Sequence, residues 1–141
     1  MATKARISVR DLMTDRLFTV GPDDDLATVR DLMVEHRIRH IPVVDPEGNL
    51  MGLISHRDLL RHALIEQVEM PMELEEAALE QIEAREVMVR DPVAVPPETD
   101  IRQAAQILFD HKYGCLPVTE GSRLVGILTE ADFVRLMAQG D

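Results

Sequence analysis

Aromatic residues are scarce in this chain of 141 residues: there is no Trp, one Tyr and three Phe. A surface that stacks on the bases of single-stranded nucleic acid needs several aromatic faces, and this chain cannot supply them. Basic residues are also the minority, 15 Lys and Arg against 26 Asp and Glu, for a formal net charge of −11. A broad footprint on a phosphate backbone requires the opposite balance, so no nucleic-acid partner is expected. Any anion site must be local, made from a few cations and backbone N–H groups. The single cysteine, Cys115, has no mate for an internal disulfide and no second thiolate for a zinc site within one chain. No apolar run approaches the roughly 18 residues that span a bilayer, and MATKARISVRDLM lacks the apolar stretch of a signal peptide. The expectation is a cytoplasmic protein with no membrane partner.

What is present is aliphatic and repetitive. Hydrophobic residues make up 45% of the chain, so the core has to be built from Val, Ile, Leu, Ala and Met. The stretch HRIRHIPVVDPEGNLMGLISHRDL, His36 to Leu59, returns as HKYGCLPVTEGSRLVGILTEADF from His111. Similarity at a fixed interval marks a repeated structural unit. Val9–Arg61 lies over Ala84–Arg135, with Met13 over Met88 and Pro22 over Pro97. The one-residue difference falls in DPEGN against EGSR, where a solvated turn tolerates it.

Each repeat reads as strand, helix, strand, turn, strand, helix. The first helix follows Pro22 and Asp23, with Leu26, Val29, Leu32 and Met33 on one face; its counterpart starts near Thr99 and buries Ile101, Ala104, Ala105 and Leu108. Ile41–Val44 and Leu50–Ile54 are short strands about a Pro- and Gly-bearing turn. One repeat of about 55 residues has little core of its own, so two should bury their sheets against each other. The organisation is therefore repeat one with its N-terminal extension over 1–64, a connector over 65–83 and repeat two over 84–141. The connector IEQVEMPMELEEAALEQIE carries seven glutamates and no basic residue, which reads as a solvated helix. Leu74, Ala77, Ala78 and Ile82 form its apolar face; docking a partner is the alternative role.

Ser55-His56-Arg57-Asp58 and Thr129-Glu130-Ala131-Asp132 both sit where a strand turns into a helix. Two roles fit the residues. The hydroxyl and the acid three positions on can cap the helix. Alternatively, a carboxylate accepts ribose hydroxyls while a helix start and a hydroxyl favour phosphate. One hydroxyl can serve both, since it donates and accepts. Elsewhere, His36 and His40 have no third ligand at sensible spacing for a metal, and Cys115 reads as a small buried hydrophobe. No nucleophile–base pair, phosphate-binding Gly-rich loop or H-E-x-x-H motif is present, so no enzyme and no catalytic cofactor are expected.

The paired Met … Val-x-Pro segments, the (Ile/Leu)-Pro-Val strands, the Gly-bearing return strands and the two Ser/Thr-x-x-Asp turns together resemble a tandem pair of CBS domains, a Bateman module. The resemblance covers about 110 residues, all but the ends and the connector. It implies an α/β fold in which each repeat carries a small sheet and two helices, with clefts that bind adenine nucleotides in many members. It also implies which residues would line them. Asp58 would hold a ribose and Ser55 would lie by the phosphates, with Arg39, His40 and Arg57 as nearby cations. Met88, Val93 and Tyr113 from the other repeat would meet the base. The second cleft would use Thr129 and Asp132 with Met13, Phe18 and Ile38, but Gly114, Cys115 and Ala131 replace the three cations.

The function expected is therefore a regulatory module that senses AMP, ADP or ATP and passes a shape change to an unknown regulated protein, as a homodimer. Arginine forks that match phosphate oxygens in pairs favour this reading. A ligand-free interaction module is the alternative that the neutral second cleft suits. An S-adenosylmethionine sensor would also prefer that cleft, because a sulfonium avoids cations.

Overall fold

The computed structural model describes residues 7–65, 72–111 and 114–139. Its elements run α1 (Val9–Leu12), α2 (Leu26–His36), β1 (His40–Val44), β2 (Leu50–Ser55), α3 (His56–Ile65) and α4 (Met72–Glu80). They continue with α5 (Ala84–Val87), β3 (Val89–Arg90), α6 (Ile101–His111), β4 (Cys115–Glu120), β5 (Arg123–Thr129) and α7 (Glu130–Gln139). The fold is mixed α/β, with a small sheet in each of two compact units. One unit is built from 18–92 and the other from 1–17 together with 93–141.

In the 18–92 unit, β1 and β2 pair antiparallel, with His40 opposite Ser55 and Ile41 opposite Ile54. The intervening turn is held by Asp45, whose carboxylate accepts the N–H groups of Glu47 and Asn49 and the Asn49 side-chain amide. The Asn49 backbone N–H is the main reason the Asp45 carboxyl sits below its ordinary value. Gly48, at φ 89°, takes the left-handed position that this turn requires. Val20 joins the outer side of β1 by one parallel bridge to Val43, where a full strand was expected. The core beneath is aliphatic: Leu26, Val29, Ile41, Val43 and Ile54 are wholly buried, and Leu26 and Val29 lie on the face that the 3.6-residue period specified. The 93–141 part repeats this plan, with β4 antiparallel to β5, Val95 bridged to Val118, and Leu116, Val118 and Leu128 at its centre.

The compact units do not follow the sequence repeats. The segment leading into each repeat is built into the other unit. The N–H groups of Val9 and Arg10 donate to the carbonyls of Thr99 and Pro97, at 2.8 Å each, and Thr14 and Ile127 exchange both backbone hydrogen bonds at 2.9 Å. Ala84 and Arg85 donate in the same way to Asp24 and Pro22, at 2.7 and 3.0 Å, and β3 pairs antiparallel with β2. Exposed ion pairs mark the same positions, Arg10 with Glu98 and Arg85 with Asp23. Val9 and Ala84, equivalent in the repeat, are both fully buried. Burying a valine side chain stabilises by roughly 1.5–3 kcal/mol, so the docked segment is a working part of its host core.

The connector behaves differently from a solvated helix. Its helix α4 packs on α2, Leu79 is buried in the core of the 18–92 unit, and Ile82 packs against the same cluster. Ala77 is exposed, so the apolar face is offset from the one anticipated, and the side chain of Leu74 lies outside the described residues. Periodicity misplaced the face because the alanines and the leucine compete within so short a helix, and only packing distinguishes them.

Met88 and Met13 fill the space left by the missing side chains of Gly52 and Gly126. A Cβ on Gly52 would lie 2.5 Å from the Met88 sulfur and 2.9 Å from the Val89 carbonyl oxygen. The three atoms nearest a Cβ on Gly126 all belong to the Met13 side chain, which can rotate away. Gly52→Ala should therefore cost about 1–3 kcal/mol as an overpacked site next to immovable backbone. Gly126→Ala should cost less, and Met13→Ala in that background should relieve what remains. Urea unfolding of the three variants checks this, and equal losses for the two glycines would contradict it.

Candidate functional site

The open end of the β1–β2 hairpin gathers the first group of candidate residues. Because His40 faces Ser55 in register, Arg39 just ahead of β1 lies beside the turn into α3, and the His56 N–H donates to the Arg39 carbonyl at 2.7 Å. Arg39, His56 and Arg57 are exposed, whereas His40, Ser55 and Asp58 are half-buried. Among the described residues, no carboxylate forms an ion pair with Arg39 or Arg57, so both guanidiniums are open to a ligand.

Ser55 and Asp58 form a complete reciprocal cap. Asp58 Oδ2 accepts the Ser55 N–H at 3.0 Å and the Ser55 hydroxyl at 2.8 Å, and Ser55 Oγ accepts the Asp58 N–H at 3.0 Å. The capping role is thus real, and it consumes one carboxylate oxygen. Asp58 Oδ1 has no hydrogen-bond donor among the described residues. The cap holds the carboxylate in place and leaves that oxygen to another donor.

The second group occupies the matching place at the open end of β4 and β5, where Cys115 faces Thr129 and the Glu130 N–H donates to the Gly114 carbonyl. Asp132 Oδ2 accepts the Thr129 N–H at 2.8 Å and its hydroxyl at 3.3 Å. Here Oδ1 is also taken, by Arg135 at 2.8 Å, and Asp132 is only 3% exposed. The expectation that this group holds no cation is corrected by Arg135. The Asp-x-x-Arg spacing on one helix face carried the signal, yet Asp58 and Arg61 share the spacing without the bond. Spacing permits such a pair, and the rotamers decide whether it forms.

The apolar candidates fall in both compact units. Met88 lies in the 18–92 unit with Asp58, and Met13 lies in the other unit with Asp132. Val93 packs in the core of the 93–141 part, whereas Phe18 and Ile38 pack against the 18–92 core. Phe18 stacks on His36 with ring centroids 3.6 Å apart. Tyr113 lies outside the described residues. Among the described residues, no cluster of His, Cys, Asp or Glu is arranged to hold a metal ion, and no helix is long and apolar enough to cross a membrane.

The CBS domain family model matches residues 9–65 and 84–139. The chain belongs to the CBS domain family. It is 31% identical over 136 residues to a CBS domain-containing protein of Dictyostelium discoideum, covering 94% of this chain and 92% of that one. Two further curated relatives are longer, and the chain spans 42% and 24% of them. Among solved structures it resembles a putative acetoin utilization protein (AcuB) from Vibrio cholerae, at 32% identity and a TM-score of 0.79 over 96% of this chain and 93% of that one. It also resembles CBSX2 of Arabidopsis thaliana in complex with AMP, at 30% identity and a TM-score of 0.78 over 94% and 96% of the two chains.

Cys115 adjoins this second group. It is a free, buried thiol, and burial first, then the Asp132 carboxylate, raises its pKa well above the ordinary 9.0. The sign follows directly: the unfolded thiol loses its proton above about pH 9 while the folded one keeps it. Its contribution is fully present below that pH and declines above it, at about 1.4 kcal/mol per pH unit. Cys115→Ala should give a shallower fall in stability between about pH 9 and 11, measured by urea unfolding across that range. An unchanged slope would show that the thiol ionises equally in both states.

Proposed function

We propose that this chain is a regulatory module that binds an adenine nucleotide, with AMP as the simplest ligand, through the open end of the β1–β2 hairpin. The observation that carries the reading is the meeting at one strand end of a capped carboxylate and two exposed arginines: among the described residues, Asp58 Oδ1 has no donor and Arg39 and Arg57 have no ion-pair partner. Sugar hydroxyls donate to Asp58, and Arg39 and Arg57 donate paired hydrogen bonds to phosphate oxygens, with His40 beside them. Met88, held over Gly52, supplies an apolar surface in the same unit. The AMP complex of a relative at 30% identity supports the ligand class. The cations also weigh against S-adenosylmethionine at this place, because its sulfonium would face two guanidiniums. The role is sensing rather than catalysis: binding favours one arrangement of the chain, and a regulated partner reads it.

Exposed apolar side chains recur at equivalent helix positions, Val34 and Leu60 in one repeat and Phe109 and Val134 in the other, with Met137 beside the latter. We read these as the contact for a second copy, making the working form a homodimer. Phe109→Asp combined with Val134→Asp should halve the mass measured by light scattering without loss of helix by circular dichroism. An unchanged mass would exclude these residues from the contact.

Calorimetry with AMP, adenosine and S-adenosylmethionine tests the ligand reading. Asp58→Ala should weaken AMP and adenosine alike, by the roughly 1.5–3 kcal/mol of hydrogen bonds to a charged acceptor. Arg39→Ala and Arg57→Ala should weaken AMP far more than adenosine, and added salt should weaken AMP binding, since the Debye length is only about 8 Å in physiological salt. Equal losses for AMP and adenosine in the arginine variants would mean that these side chains do not read phosphate. Absence of binding by wild type at millimolar ligand would leave the interaction-module function in its place.

A further inference from the structure

The two capped aspartates differ in how much acceptor capacity remains. An ionised carboxylate offers about four lone-pair sites, two on each oxygen. At Asp58, two are used, both on Oδ2 by Ser55. The two on Oδ1 are open among the described residues. At Asp132, Thr129 uses two on Oδ2 and Arg135 uses one on Oδ1, which leaves one. A ribose presents a vicinal pair of hydroxyls, and each needs an acceptor. Asp58 can take both; Asp132 can take one.

We propose that Arg135 is a specificity-determining residue that closes the Asp132 position to a ribose diol, so that the chain binds nucleosides at one of its two equivalent strand ends. This rests on the reading that the capped aspartates accept ribose hydroxyls, and it assigns the difference between them to one removable side chain. The pair is stable where it stands. Asp132 is almost wholly buried, and burying a carboxylate is costly unless hydrogen-bonded and ionic partners meet it, as Thr129 and Arg135 do here. Arg135 reaches it from a half-exposed position on the same helix, three residues on. A diol would have to displace that charge-assisted bond, whereas at Asp58 it displaces only water. Arg61, the repeat equivalent of Arg135, makes no such bond, so the closure belongs to one repeat alone.

The experiment is amide-resolved NMR on the full chain, titrated with adenosine and with 2′-deoxyadenosine, because neither carries phosphate and only adenosine carries the diol. In wild type, adenosine should shift the Ser55 and Asp58 amides and leave those of Thr129 and Asp132 unmoved. In Arg135→Ala, adenosine should shift all four, with an affinity at the second position at least tenfold above wild type, and 2′-deoxyadenosine should not reproduce the gain. Arg135→Met keeps the unbranched stem without a donor and should behave identically, so a misfolded alanine variant does not end the test. Shifts at Ser55 and Asp58 with none at Thr129 and Asp132 in the variants would overturn this inference alone. An equal gain with 2′-deoxyadenosine would overturn it too, as would wild-type shifts at Thr129 and Asp132 that the variants leave unchanged. Absence of shifts at all four amides in every protein would overturn the nucleotide reading and this inference with it.

Discussion

The backbone hydrogen bonds that carry the start of each repeat into the opposite unit are the constraint on which the rest of the structure depends. Main-chain groups leave little freedom here. Once Val9 and Arg10 donate to Thr99 and Pro97, and Thr14 pairs with Ile127, the thioether of Met13 is held over Gly126. The same bonds made by Ala84 and Arg85 hold Met88 over Gly52 and bring β3 to the edge of β2. Neither repeat completes a sheet and core from its own residues. Each small unit gains a docked helix and an edge pairing that its own sequence does not supply, which offsets the limited core available to about 55 residues.

On that scaffold, one local device serves two purposes. In both Ser/Thr-x-x-Asp turns the carboxylate accepts the N–H of the residue before the helix and is fixed at the strand end, and at Ser55 the hydroxyl also accepts a first-turn helix N–H, that of Asp58. Capping at Asp58 draws on one carboxylate oxygen and leaves the other to a further donor. The remaining oxygen is where the repeats diverge. Identical chemistry at Asp58 and Asp132 becomes a difference in acceptor capacity through a single guanidinium. The cations ahead of β1 and on the α3 turn reinforce that difference, because Gly114 and Ala131 stand where Arg39 and Arg57 do in the first repeat.

Much of this was legible in the chain itself. The repeat, its strands, the first helix of each repeat and the capped turns follow from periodicity, from the turn chemistry of Pro, Gly and Asp, and from spacing, all of which are local. The failures share a cause. Leu79 is buried against its unit's core, although the acidic sequence around it reads as solvated, because two leucines five residues apart in a charged helix leave no strong period. Nothing in the sequence singles out Arg135, because an Asp-x-x-Arg pair on a helix surface ordinarily means little. Burial of the carboxylate gives this one its weight.

The sequence by itself determined that the chain is a doubled unit, since two copies in register share their turns, their apolar periods and their Ser/Thr-x-x-Asp sites. It also determined which repeat carries arginines ahead of its strand and on its turn, because residue identity alone places Arg39 and Arg57 beside one turn and Gly114 and Ala131 beside the other. The tertiary structure decided which segment completes which unit, since backbone N–H and carbonyl groups are the same at every residue and carry no mark of their partner. It decided, for the same reason, that Met88 shares a unit with Asp58. It decided as well that Arg135 reaches Asp132 while Arg61 leaves Asp58 alone. The spacing is the same in both helices, and side-chain conformation and burial, which a sequence does not specify residue by residue, separate them.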